Sequence, residues 1–149
     1  MFSTCTTTKF LALVVTALTT MLFLASSPAM AQSGLLKKKT KLAPITLSAG
    51  KPLAAAPYEL EAGKYYTIDI VADGSQELGI VGPEFFRNLW IEEVVINDIE
   101  VRPLGLDSLE FDSEGKATIK FIPIRPGTFE VKIPNSRGDT QKATFVVKG

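Results

Sequence analysis

The sequence predicts an all-β domain built as a two-sheet sandwich. Three observations carry the prediction. Apolar residues recur at every second position over short runs, turns carrying Gly, Pro, Asn or Asp fall at intervals of about 8 to 12 residues, and neither heptads nor internal repeats compete.

The chain opens with a segment that is not part of that domain. Lys9 is followed by the apolar and hydroxyl run from Phe10 to Ala25, then Ser26, Ser27, Pro28 and the small-x-small triplet Ala29, Met30, Ala31. This is the three-part pattern of a secretory signal peptide over residues 1–31, with cleavage expected near Ala31. The run is too short to span a bilayer, and Pro28 stands where a spanning helix would have to continue. Cys5 precedes the run, so it is not placed as a lipoprotein cysteine. A periplasmic or secreted product is expected.

Residues 32–57 read as a basic arm and linker. Lys37, Lys38, Lys39, Lys41 and Lys51 occur there without an acid, and Ala49 to Pro57 is rich in Gly, Pro and Ala. The arm reads as a solvated leader, or as a weak contact with an anionic membrane surface through Lys37, Lys38, Lys39 and Lys41. The body that follows is acidic, which disfavours nucleic acid.

The sandwich is expected over 58–149. Tyr66, Ile68 and Ile70 alternate with Thr67, Asp69 and Val71 until Asp73 and Gly74 turn the chain. Leu78 to Val81 forms a second strand before Gly82 and Pro83. Residues 83–90 break the alternation, and Pro83 with Glu84 fits the start of a short helical segment. Glu92 to Ile96 is a β-branched strand ending at a turn on Asn97 and Asp98. Leu109 and Phe111 lead to the loop Asp112, Ser113, Glu114, Gly115. Ala117, Ile119 and Phe121 alternate up to Pro123, and Arg125, Pro126, Gly127 turn the chain into Phe129, Val131 and Ile133. Thr144 to Lys148 closes the domain.

The piece Lys120, Phe121, Ile122, Pro123, Ile124, Arg125, Pro126, Gly127, Thr128, Phe129, Glu130, Val131 resembles the penultimate strand pair of cupredoxins. Leu60 to Tyr66, with Gly63 at its turn, is similar to the opening of that fold, and Leu106 to Phe111 to its middle loop. The resemblance implies a Greek-key, cupredoxin-like sandwich. It also implies where copper would be held: by a His near the middle of the domain, then a Cys, a second His and often a Met near the last hairpin. Counted from Gly127, the Cys position falls at or near Ile133, and the loop after it offers Pro134, Asn135, Ser136, Arg137, Gly138 and Asp139. The middle His position falls near Asn97 to Glu100. The sequence contains no His, its one Cys is Cys5, and its three Met are Met1, Met21 and Met30, all in the leader. Blue-copper electron transfer and disulfides are therefore excluded for the mature domain, and no cofactor is expected.

Oxygen donors remain. Asn97, Asp98 and Glu100, with Glu92 and Glu93 nearby, and separately Asp107, Glu110, Asp112 and Glu114, are weak candidates for a hard cation such as calcium, although neither group has EF-hand spacing. Enzymatic activity is not expected. Without His the usual proton carrier near neutral pH is missing, and Gly-rich phosphate loops are absent. The expected function is that of an exported, non-catalytic binding or accessory module that docks on another envelope protein through Phe85, Phe86, Arg87 and Trp90. That composition suits an interface hot spot, against the plainer reading of a plug closing one end of the sandwich. The alternative function is an envelope metal-handling protein, of an uptake or resistance system, that binds a cation through oxygen ligands or a site shared with a partner.

Overall fold

A computed structural model describes residues 38–149. The expected signal segment and Lys37 lie outside the described residues. The strands are β1 (Thr40–Lys41), β2 (Ile45–Leu47), β3 (Tyr58–Glu61), β4 (Tyr66–Ala72), β5 (Leu78–Val81), β6 (Leu89–Ile96), β7 (Ile99–Val101), β8 (Ser108–Phe111), β9 (Gly115–Pro123), β10 (Gly127–Lys132) and β11 (Lys142–Lys148). One helical turn, α1 (Pro83–Phe86), lies between β5 and β6, and a 3-10 turn (Asp139–Gln141) precedes β11.

Two mixed sheets face each other. The first has the order β1-β4-β9-β6-β7, with β2 also on β4, and the second the order β3-β11-β10-β5-β8. Period-two alternation builds the core between them. Tyr66, Ile68, Ile70 and Ala72 of β4, Ala117, Ile119, Phe121 and Pro123 of β9, and Ala143, Phe145 and Val147 of β11 all turn inward and are buried. Each fully buried large apolar side chain stabilises the fold by about 1.5–3 kcal/mol before entropy is counted. The turn between β3 and β4 needs a left-handed residue, and Gly63, at φ 80°, supplies it while its N–H donates to the Pro123 carbonyl (2.8 Å).

The fold begins earlier than the sequence suggests. β1 and β2 both run parallel to β4, at Tyr66–Thr67 and at Ile70–Ala72, as one edge strand interrupted around Pro44. Pro lacks the ladder donor and is tolerated at an edge. Ile45, Leu47 and Leu53 are buried in the core, and the Leu53 N–H donates to the Thr140 carbonyl (2.9 Å). Residues 40–57 are thus woven into the sandwich, and not a linker ahead of a unit starting at Tyr58. Two of the lysines read as a membrane contact are engaged within the chain. Lys41 pairs with Asp69 (3.2 Å), and Lys39 lies 3.9 Å from Glu92 with its Nζ 5.0 Å over the Tyr65 ring.

Tyr58 ties this amino-terminal segment to the second sheet. Its ring stacks on Phe145 (4.7 Å between centroids) and its hydroxyl donates to the Pro44 carbonyl (3.2 Å). Burial pushes its pKa up from 10.0 to about 12. The unfolded chain therefore ionises first on alkaline titration. Stability is insensitive to this group below pH 10 and falls between pH 10 and 12, by about 1.4 kcal/mol per pH unit at most. Urea titrations across that range should show the slope, and Tyr58→Phe should flatten it; an equal slope in the variant would assign it to other groups.

Candidate functional site

The segment from β5 to β6 was the expected docking surface, and its local geometry divides it. Gly82 makes the junction possible: a Cβ there would stand 2.7 Å from Val131 Cγ2 and 3.1 Å from the Glu130 carbonyl, so the chain crosses β10 in direct contact. Pro83 then opens α1, whose turn is closed by the Phe86 N–H on the Gly82 carbonyl (2.9 Å) and the Arg87 N–H on the Pro83 carbonyl (3.0 Å). One turn of helix carries Phe85 and Phe86 into the sandwich. Phe85, 2 % exposed, stacks on Phe145 at 4.0 Å and meets Phe121 edge-on at 5.9 Å. Phe86 is buried beside it (5.7 Å). These two rings are core, which corrects their assignment to a partner surface.

Arg87 and Trp90 remain outside. Arg87 is exposed and its guanidinium lies 3.7 Å from Glu84. Leu89 and Ile91 of β6 face the core, so Trp90 between them must face out; it pairs across the ladder with Ile122 and is 47 % exposed. A pocket of about 440 Å³ opens beside it, lined by Arg87, Trp90, Pro103, Leu104 and Leu106 among others. Leu104 is fully exposed on its rim. Pro103, Leu104 and Leu106 belong to an irregular loop with no periodicity, and nothing in their spacing marked them.

On the same strand a bulge changes the phase. The β6–β9 register shifts between Ile91 and Glu93, so Glu92 is the extra residue, and Val94 returns to the core. Glu93 then faces Lys120 across the ladder on the outer side of the sheet. It is only 4 % exposed, and Lys120 Nζ donates to its Oε1 while Arg102 Nη2 donates to its Oε2 (3.3 Å). The Lys120 hydrogen bond holds the Glu93 carboxyl below the usual glutamate value against the opposing effect of burial, helped by the charges of Lys120, Arg102 and Lys39. Glu93 in turn raises the Lys120 pKa. The Tyr65 hydroxyl and Glu92 Oε2 are buried without a hydrogen-bond partner among the described residues.

The oxygen-donor candidates are held apart by their own roles. Asn97 (φ 47°) and Asp98 (φ 64°) form the left-handed pair of the two-residue turn joining β6 to β7. Glu100 lies 3.7 Å from Arg102. Among the described residues no group of three or more His, Cys, Asp or Glu stands together as a metal site. The positions where the resemblance places copper ligands do not fit that metal. Ile133 packs its donor-free side chain against the core, and in the following loop Ser136 Oγ is spent donating to the Ile133 carbonyl (2.7 Å).

No protein-family profile and no curated protein sequence matches the chain. Solved structures do. A copper nitrite reductase from Nitrosomonas europaea aligns with a TM-score of 0.50 at 17 % identity over 64 % of this chain and 34 % of that one. A multicopper oxidase from Campylobacter jejuni, a metallo-oxidase, aligns at 0.50 with 7 % identity over 76 % of this chain and 31 % of that one. The chain spans about a third of the length of these proteins. What is shared is the fold: a cupredoxin-like β-sandwich.

Proposed function

We propose that this chain is an exported, non-catalytic cupredoxin-like module that binds another envelope protein through the Trp90 pocket. The observation that carries the reading is Trp90, a large aromatic left half exposed on the outer face of a well-packed sheet, beside a pocket rimmed by Leu104. An exposed aromatic anchor next to an Arg at the mouth of a pocket is the composition of a binding hot spot. Arg87 favours a partner that presents a carboxylate beside the side chain received by Trp90 and Leu104. The donor-free Ile133 supports a scaffold used for its surface, and the signal-like leader supports export.

The test is capture of envelope proteins by the tagged domain and by its Trp90→Glu and Arg87→Glu variants. The expected result is one partner retained by the parent chain, lost with Trp90→Glu and weakened with Arg87→Glu, while both variants keep the parent's stability to within about 1 kcal/mol. A partner that binds all three equally, or a Trp90→Glu chain that unfolds, removes the reading. Calorimetric titration with calcium, manganese, ferrous and cupric ions separates it from oxygen-ligand metal handling. A binding heat abolished by Asp98→Asn would move the function there.

A further inference from the structure

The first sheet ends on β7, and β7 has the features of a self-pairing edge. Among the described residues no strand lies on its far side, and all three of its residues are exposed. The Ile96–Ile99 pair closes the two-residue turn, so the antiparallel alternation directs the N–H and C=O groups of Ile99 and Val101 toward β6. Those of Glu100 and of the next residue, Arg102, point away from the sheet with their hydrogen bonds unmade by any strand. Side chains alternate as well. Glu100 and Arg102 lie on the outer face, where Arg102 also reaches Glu93, while Ile99 and Val101 lie on the inner face. The second sheet does not cover that inner stripe, and Ile99 is 65 % and Val101 46 % exposed.

We infer that β7 pairs antiparallel with β7 of a second copy of this chain about a two-fold axis at Val101. In this register Glu100 stands opposite Arg102 of the other copy, and Arg102 opposite its Glu100. Four outward main-chain hydrogen bonds form at these two pairs, flanked by two ion pairs. Val101 meets its own counterpart, and the apolar stripe through Ile99 continues across the axis. Pro103, which lacks an N–H, occupies a position whose donor would point inward, so the ladder loses nothing there. Registers centred on Glu100 or on Arg102 place like charges against each other, so charge selects the Val101 register.

The charge pattern also selects the occupant. A two-fold interface must be self-complementary, and the order acid, apolar, base satisfies that condition. The free edges of the second sheet do not. β3 carries Glu59 and Glu61, and β8 carries Glu110 between Asp107 and Asp112, so copies meeting there would oppose acid with acid. The ladder is short and the dimer correspondingly weak, so it is measured at high concentration.

This inference does not depend on the Trp90 pocket, and its test is separate. Sedimentation equilibrium of the domain at concentrations up to on the order of 1 mM is expected to show a reversible monomer–dimer equilibrium. Val101→Lys sets two ammonium groups at the axis, and Glu100→Arg sets four guanidinium groups along it. Each should weaken association by roughly a hundredfold or more, with the melting transition retained. Arg102→Glu alone gives an all-acidic edge and is expected to be monomeric, yet mixed with Glu100→Arg it should form a one-to-one heterodimer. A parent chain that stays monomeric throughout, or a dimer that survives Val101→Lys and Glu100→Arg, overturns the inference. If Arg102→Glu does not fold, those two variants decide alone.

Discussion

Replacing Phe85 with alanine is expected to lower the unfolding free energy by about 3–5 kcal/mol, a large share of what holds a domain of this size together. The ring is the joint between the two sheets and the helical turn. It stacks on Phe145 of β11 at 4.0 Å, meets Phe121 of β9 edge-on at 5.9 Å, and touches Phe86 and Phe129 at 5.7 and 6.2 Å. Truncation removes the transfer free energy of the ring, the aromatic contacts of about 0.5–1.5 kcal/mol each, and leaves a cavity that the surrounding rings cannot fill without leaving their rotamers. Urea denaturation should show the loss as a lower midpoint at an unchanged slope. The contrast is Trp90→Ala on the outer face, expected to cost about 1 kcal/mol or less. A Phe85→Ala loss no larger than that of Trp90→Ala would mean that the aromatic cluster does not hold the sheets together.

The same contrast shows what was legible in the sequence. Composition placed Phe85, Phe86, Arg87 and Trp90 in one patch, because all four lie within a stretch that breaks the strand period. Their division follows from where α1 ends and β6 begins, and boundaries are not written in composition. With α1 stopping at Phe86 and β6 starting at Leu89, one helical turn takes both Phe inward and strict alternation takes Trp90 outward. The long strands were readable because β4, β9 and β11 each carry three or more inward apolar residues at period two. β1, β2 and β7 were not. Two or three residues cannot display a period, and β7 is exposed along its whole length. The bulge at Glu92 was hidden for a related reason. Two adjacent acids inside a β-branched run break the alternation in sequence, and only the partner strand reveals that one of them is an insertion that puts Glu93 beside Lys120.

That insertion supports the second large effect. Lys120→Met removes the first partner of Glu93, a residue 4 % exposed in the parent chain, and leaves it only the largely exposed Arg102, and the expected cost is about 1–3 kcal/mol. Replacing both members, Glu93→Met with Lys120→Met, should recover most of it, because two apolar groups of similar length fill the same space without a desolvated charge. The double-mutant cycle therefore separates the coupling of the pair from the cost of orphaning one member.

Acid gives an independent reading with a definite sign. In the parent chain the Glu93 pKa is held low by the Lys120 hydrogen bond, so its stabilisation is present above the ordinary glutamate range and is lost as pH falls and the unfolded chain takes up the proton first. Without Lys120 the largest lowering cause is gone and only Arg102 and Lys39 act against burial, so the folded carboxyl is held less low than in the parent and the variant has less stabilisation to lose on acidification. The stability difference between parent and Lys120→Met is thus expected to narrow as pH falls through the carboxylate range. A difference that stays constant with pH would mean that Lys120 acts through packing of its stem and not through the charge it places on Glu93.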